Sequence, residues 1–251
     1  MYRVFSLAAF LALMPLSLAS AADIAEHRIL GFSPDASVFA FEEYGVQDGS
    51  GFPYANIYFI DTEADRWLPG TPIEVVIQDH EIVESGRESA PLAREAARAE
   101  AAELLDEHEI RDLYWTLASS PLGEVESSAT ELAFGIQPRW NALADIEDEY
   151  RARMELYYAD SPGQDCEAFM GDRPMGFRLE IDSEASGDTT LLHEDETIPR
   201  SRGCPITYRI SRIVAPDAWP VERVVVLVSV IRHGFEGADR RFIAVPGRLP
   251  H

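Results

Sequence analysis

Apolar positions in this chain come mostly in short runs with a period of two, separated by turn residues. Such runs predict strands. Ile24 to Phe32 leads into the first strand. Ser33-Pro34-Asp35 follows as a turn, because proline presets its own backbone angle and aspartate bonds its own backbone. Val38 to Tyr44 is rich in aromatic and β-favouring residues. Phe39 and Phe41 share one face and Val38 and Ala40 the other, so both faces are apolar and the strand should be buried on both sides. A polar, glycine-containing loop from Gln47 to Pro53 leads to a strand from Asn56 to Asp61. There Ile57, Phe59 and Asp61 oppose Tyr58 and Ile60. A turn at Thr62 to Asp65 comes next, and Pro72 introduces a further strand, Ile73 to Gln78.

The period changes after Glu84. Leu92 to Glu107 is alanine-rich with no breaker, Ser89 can cap it, and Pro91 suits a first turn. Ala97, Ala101, Leu104, Leu105 and His108 share a face at helical spacing. Arg94, Arg98 and several glutamates lie opposite, and Glu95 is spaced to pair with Arg98. This predicts a helix packed on one side against a sheet, with a solvated charged face. A short second helical piece is expected around Ile110 to Ala118, so residues 84–118 read as a helical insertion.

Beyond the insertion, Glu131 to Ile136 predicts a strand. Asn141 to Tyr158 carries two patterns. Leu143, Ile146, Tyr150, Met154 and Tyr157 fit a helix, while Tyr150, Ala152, Met154, Leu156 and Tyr158 fit a strand. A strand from Tyr150 is favoured because strand-like runs follow: Met175 to Ile181, Thr189 to His193, Thr207 to Val214, Arg223 to His233 and Arg241 to Val245. The fold class expected is mainly β (α+β), with antiparallel propeller-blade-like or sandwich sheets and one helical insertion near residues 90–108. The chain also echoes itself. Ile29 to Asp35 resembles Ser211 to Asp217, and each Pro-Asp turn precedes a strong strand ending near glycine, at Gly45 and Gly234.

The first 21 residues change where this fold is placed. Arg3 gives a positive start, Phe5 to Leu18 is apolar apart from small residues and Pro15, and Ala19-Ser20-Ala21 matches a small-x-small cleavage pattern. The cut is expected after Ala21, with Ala19 or Ala22 as alternatives. The run is shorter than the ~20 residues a membrane helix needs. The expectation is a secreted or periplasmic protein: a signal peptide over 1–21, one domain over 22–251, and no membrane span in the mature chain.

Charge narrows the partners. The 251 residues hold 21 Lys and Arg against 44 Asp and Glu, a formal charge of −23. Such a chain repels nucleic acid and anionic membranes and leaves room for cations or a basic partner. Every basic residue is arginine. That excludes Schiff-base lysines, the phosphate-loop lysine and Ser-Lys dyads. Cys166 and Cys204, bound for an oxidising compartment, are expected to pair.

No linear catalytic motif is present. His80-Glu81 and His108-Glu109 each lack the second histidine of a zinc helix, and no nucleophile elbow, phosphate loop or dinucleotide fingerprint occurs. No cofactor is expected. Three clusters remain. Glu42, Glu43, Asp48 and Asp61 offer oxygen ligands for calcium, or simply cap turns and face water. Arg200, Arg202, Arg209 and Arg212 could grip a carboxylate or phosphate, or pair with Glu194, Asp195 and Glu196. His233 with Glu236, beside Asp239-Arg240-Arg241, could do acid–base work or simply form a hairpin loop. The loop residues Asp48, Gly49, Ser50 and Gly51, with Arg200, Arg202 and Glu236, are the candidate ligand loop.

Ser33-Pro34-Asp35, Val38 to Phe41 and Ile57-Tyr58-Phe59-Ile60-Asp61 resemble blades of secreted propeller proteins, including the periplasmic propeller of the Tol system. The glycine usual after the aspartate is Ala36 here. Longer strings carry a wider resemblance: Phe41 to Gly45, Asp48 to Gly51, Pro199 to Pro205, Gly234 to Gly237 and Arg240 to Phe242. Together they resemble a bacterial family of predicted secreted proteins of unknown function. That resemblance implies export and one shared architecture, and supplies no activity. The function expected is an exported binding or interaction module whose partner is an envelope protein or a small ligand. The alternatives are a secreted hydrolase with its site in the loops around Gly49 to Pro53 and Gly234 to Gly237, and a structural envelope component. Convergence of the Asp48 loop, Arg202 and Glu236 on one concavity would favour a ligand site.

Overall fold

The computed structural model describes residues 22–78, 89–120, 128–137, 146, 148–234 and 237–250. The expected signal peptide and Glu236 lie outside the described residues. Three antiparallel sheets form among those described. The first is a meander of β1 (Glu26–Phe32), β2 (Val38–Val46) and β3 (Pro53–Asp61), with β4 (Arg66–Trp67) and β5 (Ile73–Val76) both paired to β3. The second is β7 (Glu131–Ile136), β8 (Asp148–Tyr158), β9 (Met175–Ser183) and β10 (Thr189–Glu194) in sequence order. The third places β6 (Tyr114–Ser119) beside β11 (Pro205–Pro216), then β12 (Arg223–His233) and β13 (Ala238–Arg248).

The third sheet is the middle layer. Val224, Val226, Val228 and Val230 of β12 pack with Phe177, Leu179 and Ile181 of the second sheet. The alternate residues Val225 and Leu227 pack with Phe39, Phe41 and Ile29 of the first. Alternation on β2 repeats the device one layer further out. Phe39 and Phe41 face the middle sheet, while Val38 and Ala40 face α1 (Ala90–Glu100) through Ala93, Ala97 and Ala101. A strand buried on both faces needs apolar residues at consecutive positions, which is what both runs supply. The order is helix, sheet, sheet, sheet, stacked as a sandwich.

The echo in the sequence corresponds to like elements. Ser33-Pro34-Asp35 joins β1 to β2, and the Pro216-Asp217 turn joins β11 to β12. In the first turn, Ser33 Oγ accepts the Val38 N–H at 2.9 Å, and Asp35 Oδ1 accepts the Ser33 hydroxyl at 2.7 Å. Hydrogen bonds from Ser33 and Ser37 hold the Asp35 carboxyl down at about 2. Ala36 sits at φ 58°, the left-handed position that glycine fills more cheaply.

Four expectations change. The helical stretch is two helices, α1 and α2 (Ala102–Glu107), which meet at Ala101. Ser89 occupies the N-cap position without a capping hydrogen bond from its side chain. The piece expected to be helical around Ile110 to Ala118 instead runs into β6, because pairing with β11 from Arg212 to Pro216 overrides a weak helical pattern. The charged side of α1 is not simply solvated. Arg94 reaches Glu42 through two bonds of 3.0 and 2.9 Å, and Arg98 reaches it at 2.7 Å, so Arg98 pairs there instead of with Glu95. The residues from Tyr150 are a strand, as favoured: β8 is an inner strand between β7 and β9, with Tyr150, Ala152 and Met154 buried. Cys166 on α3 (Cys166–Met170) and Cys204 before β11 form a disulfide, with their Cα atoms 5.4 Å apart.

Candidate functional site

The middle sheet's edge strand, β13, is only partly covered. At one end Arg240 exchanges backbone bonds with Asp23 and Ala25, and the next outward amide, Phe242 N–H, donates to Glu43 Oε2 at 2.6 Å. Beyond it the edge opens into a cleft of about 690 Å³. The first sheet overhangs this cleft. Tyr54, Asn56 and Tyr58 alternate onto one face of β3, and the pairing of Glu43 with Asn56 and of Glu74 with Asn56 brings both carboxylates to the same face. Trp67 of β4 and Ala244 of β13 line the cleft and a smaller depression that adjoins it.

Glu43 is the charged centre of this wall. Its side chain is fully buried, and its Oε1 has no hydrogen-bond partner among the described residues. Arg241 lies 3.7 Å away but is committed to Asp23, which also accepts the Tyr54 hydroxyl at 2.8 Å. Burial pushes the Glu43 carboxyl up to about 7, against the pull of Arg241 and the Phe242 amide. A carboxyl that titrates near neutral pH inside a cleft is a mark of functional sites.

A second charged group holds two more residues of the lining, His193 and Arg202. Asp195, after β10, accepts Arg202 at 2.8 and 2.7 Å, lies 2.9 Å from His193 Nε2 and accepts the Phe177 N–H at 3.1 Å. Burial works against the Asp195 charge, but the His193 bond and the Arg202 charge outweigh it and hold the carboxyl below its ordinary range. Burial also opposes the charge on His193, yet Asp195 and Asp65 win and raise its pKa. A raised histidine contributes stability below its unfolded pKa and loses it as pH rises through the folded one. The stability difference between the wild type and His193→Gln should therefore shrink as pH climbs above the ordinary 6.5. Urea midpoints across that range test this, and a difference that does not vary with pH would refute it.

The residues expected to carry chemistry are only partly brought together. Arg202 lines the cleft, and so does Gln47 at the start of the glycine-rich loop. Asp48, Gly49, Ser50 and Gly51 form a local turn in which Gly51 N–H donates to the Gln47 carbonyl and the Ser50 hydroxyl to the Gln47 side chain. They do not line the cleft. Arg200 is exposed beside Gly163. The four calcium candidates diverge. Consecutive positions on β2 send Glu42 to the helix side and Glu43 to the middle sheet, while Asp61 accepts the Glu63 and Ala64 amides. Among the described residues no three His, Cys, Asp or Glu side chains gather as ligands. Tyr54, Tyr58, Trp67, His193 and Arg241 were not singled out for the cleft from sequence. The available signal was a polar stripe, Tyr54-Asn56-Tyr58, on the inward face of a buried strand.

No described helix is long and apolar enough to cross a membrane. No curated protein matches the chain. A family model described as "Predicted secreted protein (DUF2259)" matches residues 40–248, which contain every cleft residue named above except Asp23. The chain therefore belongs to this family of predicted secreted proteins.

Proposed function

We propose that the cleft captures an extended polypeptide segment, and that the chain works as an exported binding module. The observation that carries this is the open edge of β13. The register of β12 with β13 is unbroken, so Ala244 points its N–H and C=O outward like Arg240 and Phe242. Neither group has a hydrogen-bond partner among the described residues. An added strand would satisfy them, which is how extended peptides join sheet edges. Tyr58 and Trp67 offer apolar contact alongside, and Glu43, Asp65 and Glu74 favour a basic side chain on the ligand. Removal of a leader after Ala21, or after Ala19 or Ala22, leaves Asp23 in place to hold Arg241 at the cleft.

Random-peptide display against the immobilised protein tests the reading. Selected peptides should weaken at least about tenfold, or ~1.4 kcal/mol, on Ala244→Pro and on Trp67→Ala. Proline is tolerated on an open strand edge and removes only the donor the peptide needs. Peptides that bind both variants as well as the wild type would refute strand addition.

A hydrolase is the second reading, and the near-neutral Glu43 favours it, since a general base works best near the ambient pH. Turnover of peptide, ester or glycoside substrates that disappears in Glu43→Gln would support it. No turnover across the three classes would retire it.

A further inference from the structure

A second cavity, of about 330 Å³, lies on the other side of Phe242, between β1 and the β11–β6 end of the middle sheet. A bulge shapes it. The pairing of β11 with β12 slips between Ile210 and Arg212, so Ser211 is the extra residue. Without the slip, Arg209 and Arg212, three apart, would face opposite sides of the sheet. With it both turn away from the second sheet, where Tyr208, Ile210 and Ile213 are buried, and toward β1. Ser229, paired between Arg209 and Phe242, stands in the same row. Arg240 and His27 close the cavity from β13 and β1.

The charges there are unbalanced. Carboxylates outnumber arginines about two to one in this chain, and most described arginines find one. Four described arginines make no ion pair: Arg200, Arg209, Arg212 and Arg240. Three of the four line this one cavity. Arg240 spends Nε and one terminal nitrogen on the Ala25 carbonyl, at 2.9 and 2.8 Å, and its other terminal nitrogen makes no hydrogen bond among the described residues. Arg212 Nε and His27 Nε2 are both buried with no hydrogen-bond partner among the described residues. The one carboxylate on the described lining, Glu26, accepts the Tyr44 hydroxyl at 3.0 Å. A buried donor such as Arg212 Nε, left without an acceptor, carries a desolvation cost that a bound acceptor removes.

We propose that this cavity is a binding site for a tetrahedral oxyanion, phosphate or sulfate, taken either free or as the terminal group of a larger molecule. Arg212 and Arg209 supply planar donor forks, Arg240 a third charge, and Ser229 a hydroxyl, the donor set that grips phosphate oxygens. His27 responds to the occupant. Burial first, then the charges of Arg212 and Arg240, press its pKa down to about 4. An anion beside it offsets that field, so His27 should take up a proton at a higher pH when the site is filled.

Titration calorimetry at constant ionic strength, with sodium phosphate or sulfate against sodium chloride, is the direct test. The wild type should bind phosphate saturably, and Arg209→Gln with Arg212→Gln should weaken it at least tenfold. Glutamine removes two unpaired charges, so the double variant should fold at least as well as the wild type, which its urea midpoint checks. The second measurement needs no variant: NMR titration of His27 in the wild type should show its pKa rise with phosphate and stay put with chloride. Equal heats for phosphate and chloride, undiminished binding by the double variant, or a His27 titration indifferent to phosphate would each overturn the proposal. Glycerol phosphate separates the sources: tighter binding than inorganic phosphate assigns the terminal group of a larger molecule, and equal binding assigns the free anion.

Discussion

Replacing Arg94 and Arg98 together with leucine should lower the unfolding free energy by about 3–5 kcal/mol, the cost of leaving a buried charge without its partner. Glu42 is the fully buried member of the triad, while the two arginine side chains keep 23% and 37% of their exposure. That asymmetry decides which deletion hurts more. Without Glu42, the guanidinium groups can turn to water, and Arg94 also lies over the Tyr44 ring at 3.8 Å. Without the arginines, the carboxylate has no route out, because β2 is covered on this face by α1. Glu42→Leu alone should therefore cost less than the double arginine variant. Adding Glu42→Leu to the double variant should restore part of the loss. Urea denaturation at neutral pH measures all three, and a double variant within about 1 kcal/mol of the wild type would show that the triad does not anchor the helix.

The same triad shows how far the sequence could be read. Apolar residues on both faces of Val38 to Phe41 predicted a strand buried on both sides, and that is how β2 sits. The next step was open to the same reasoning: Glu42 and Glu43 continue that strand, so alternation sends one carboxylate into each interface. Read as loop acids, they suggested calcium; as strand residues, they need arginines on two different elements. Arg94 and Arg98 come from a helix about fifty residues on, and Arg241 from β13 nearly two hundred residues on. Periodicity carries no information about such distant partners. The piece expected to be helical around Ile110 to Ala118 differs for a related reason, since the helical pattern there was weak and the partner strand lay beyond the whole second sheet. The disulfide was legible because only two cysteines existed to pair. The cleft was not, because its walls come from β2, β3, β4, β13 and the segment after β10, and no short motif spans them.

Glu43→Gln should make the protein more stable at neutral and alkaline pH, by about 3 kcal/mol. The ordinary carboxyl value is 4.5, and burial in the fold moves Glu43 to about 7. The folded state thus holds this proton more tightly than the unfolded chain. Stability from this group is greatest below about pH 4.5, falls as pH rises toward 7, and stays low above it. The gap, at about 1.4 kcal/mol for each pH unit, gives the ~3 kcal/mol. Glutamine keeps an oxygen to accept the Phe242 N–H, carries no charge, and leaves Arg241 with Asp23. The gain should therefore vanish in acid and grow through the range from 4.5 to 7. Urea midpoints of the two proteins across that range test it, and a gain that is absent or flat with pH would refute the argument. The carboxylate faces the cleft beside the open edge of β13, where the proposed capture of a basic peptide would use its charge. The more stable variant should accordingly hold basic peptides less tightly, and undiminished capture would separate the cost of Glu43 from the work of the cleft.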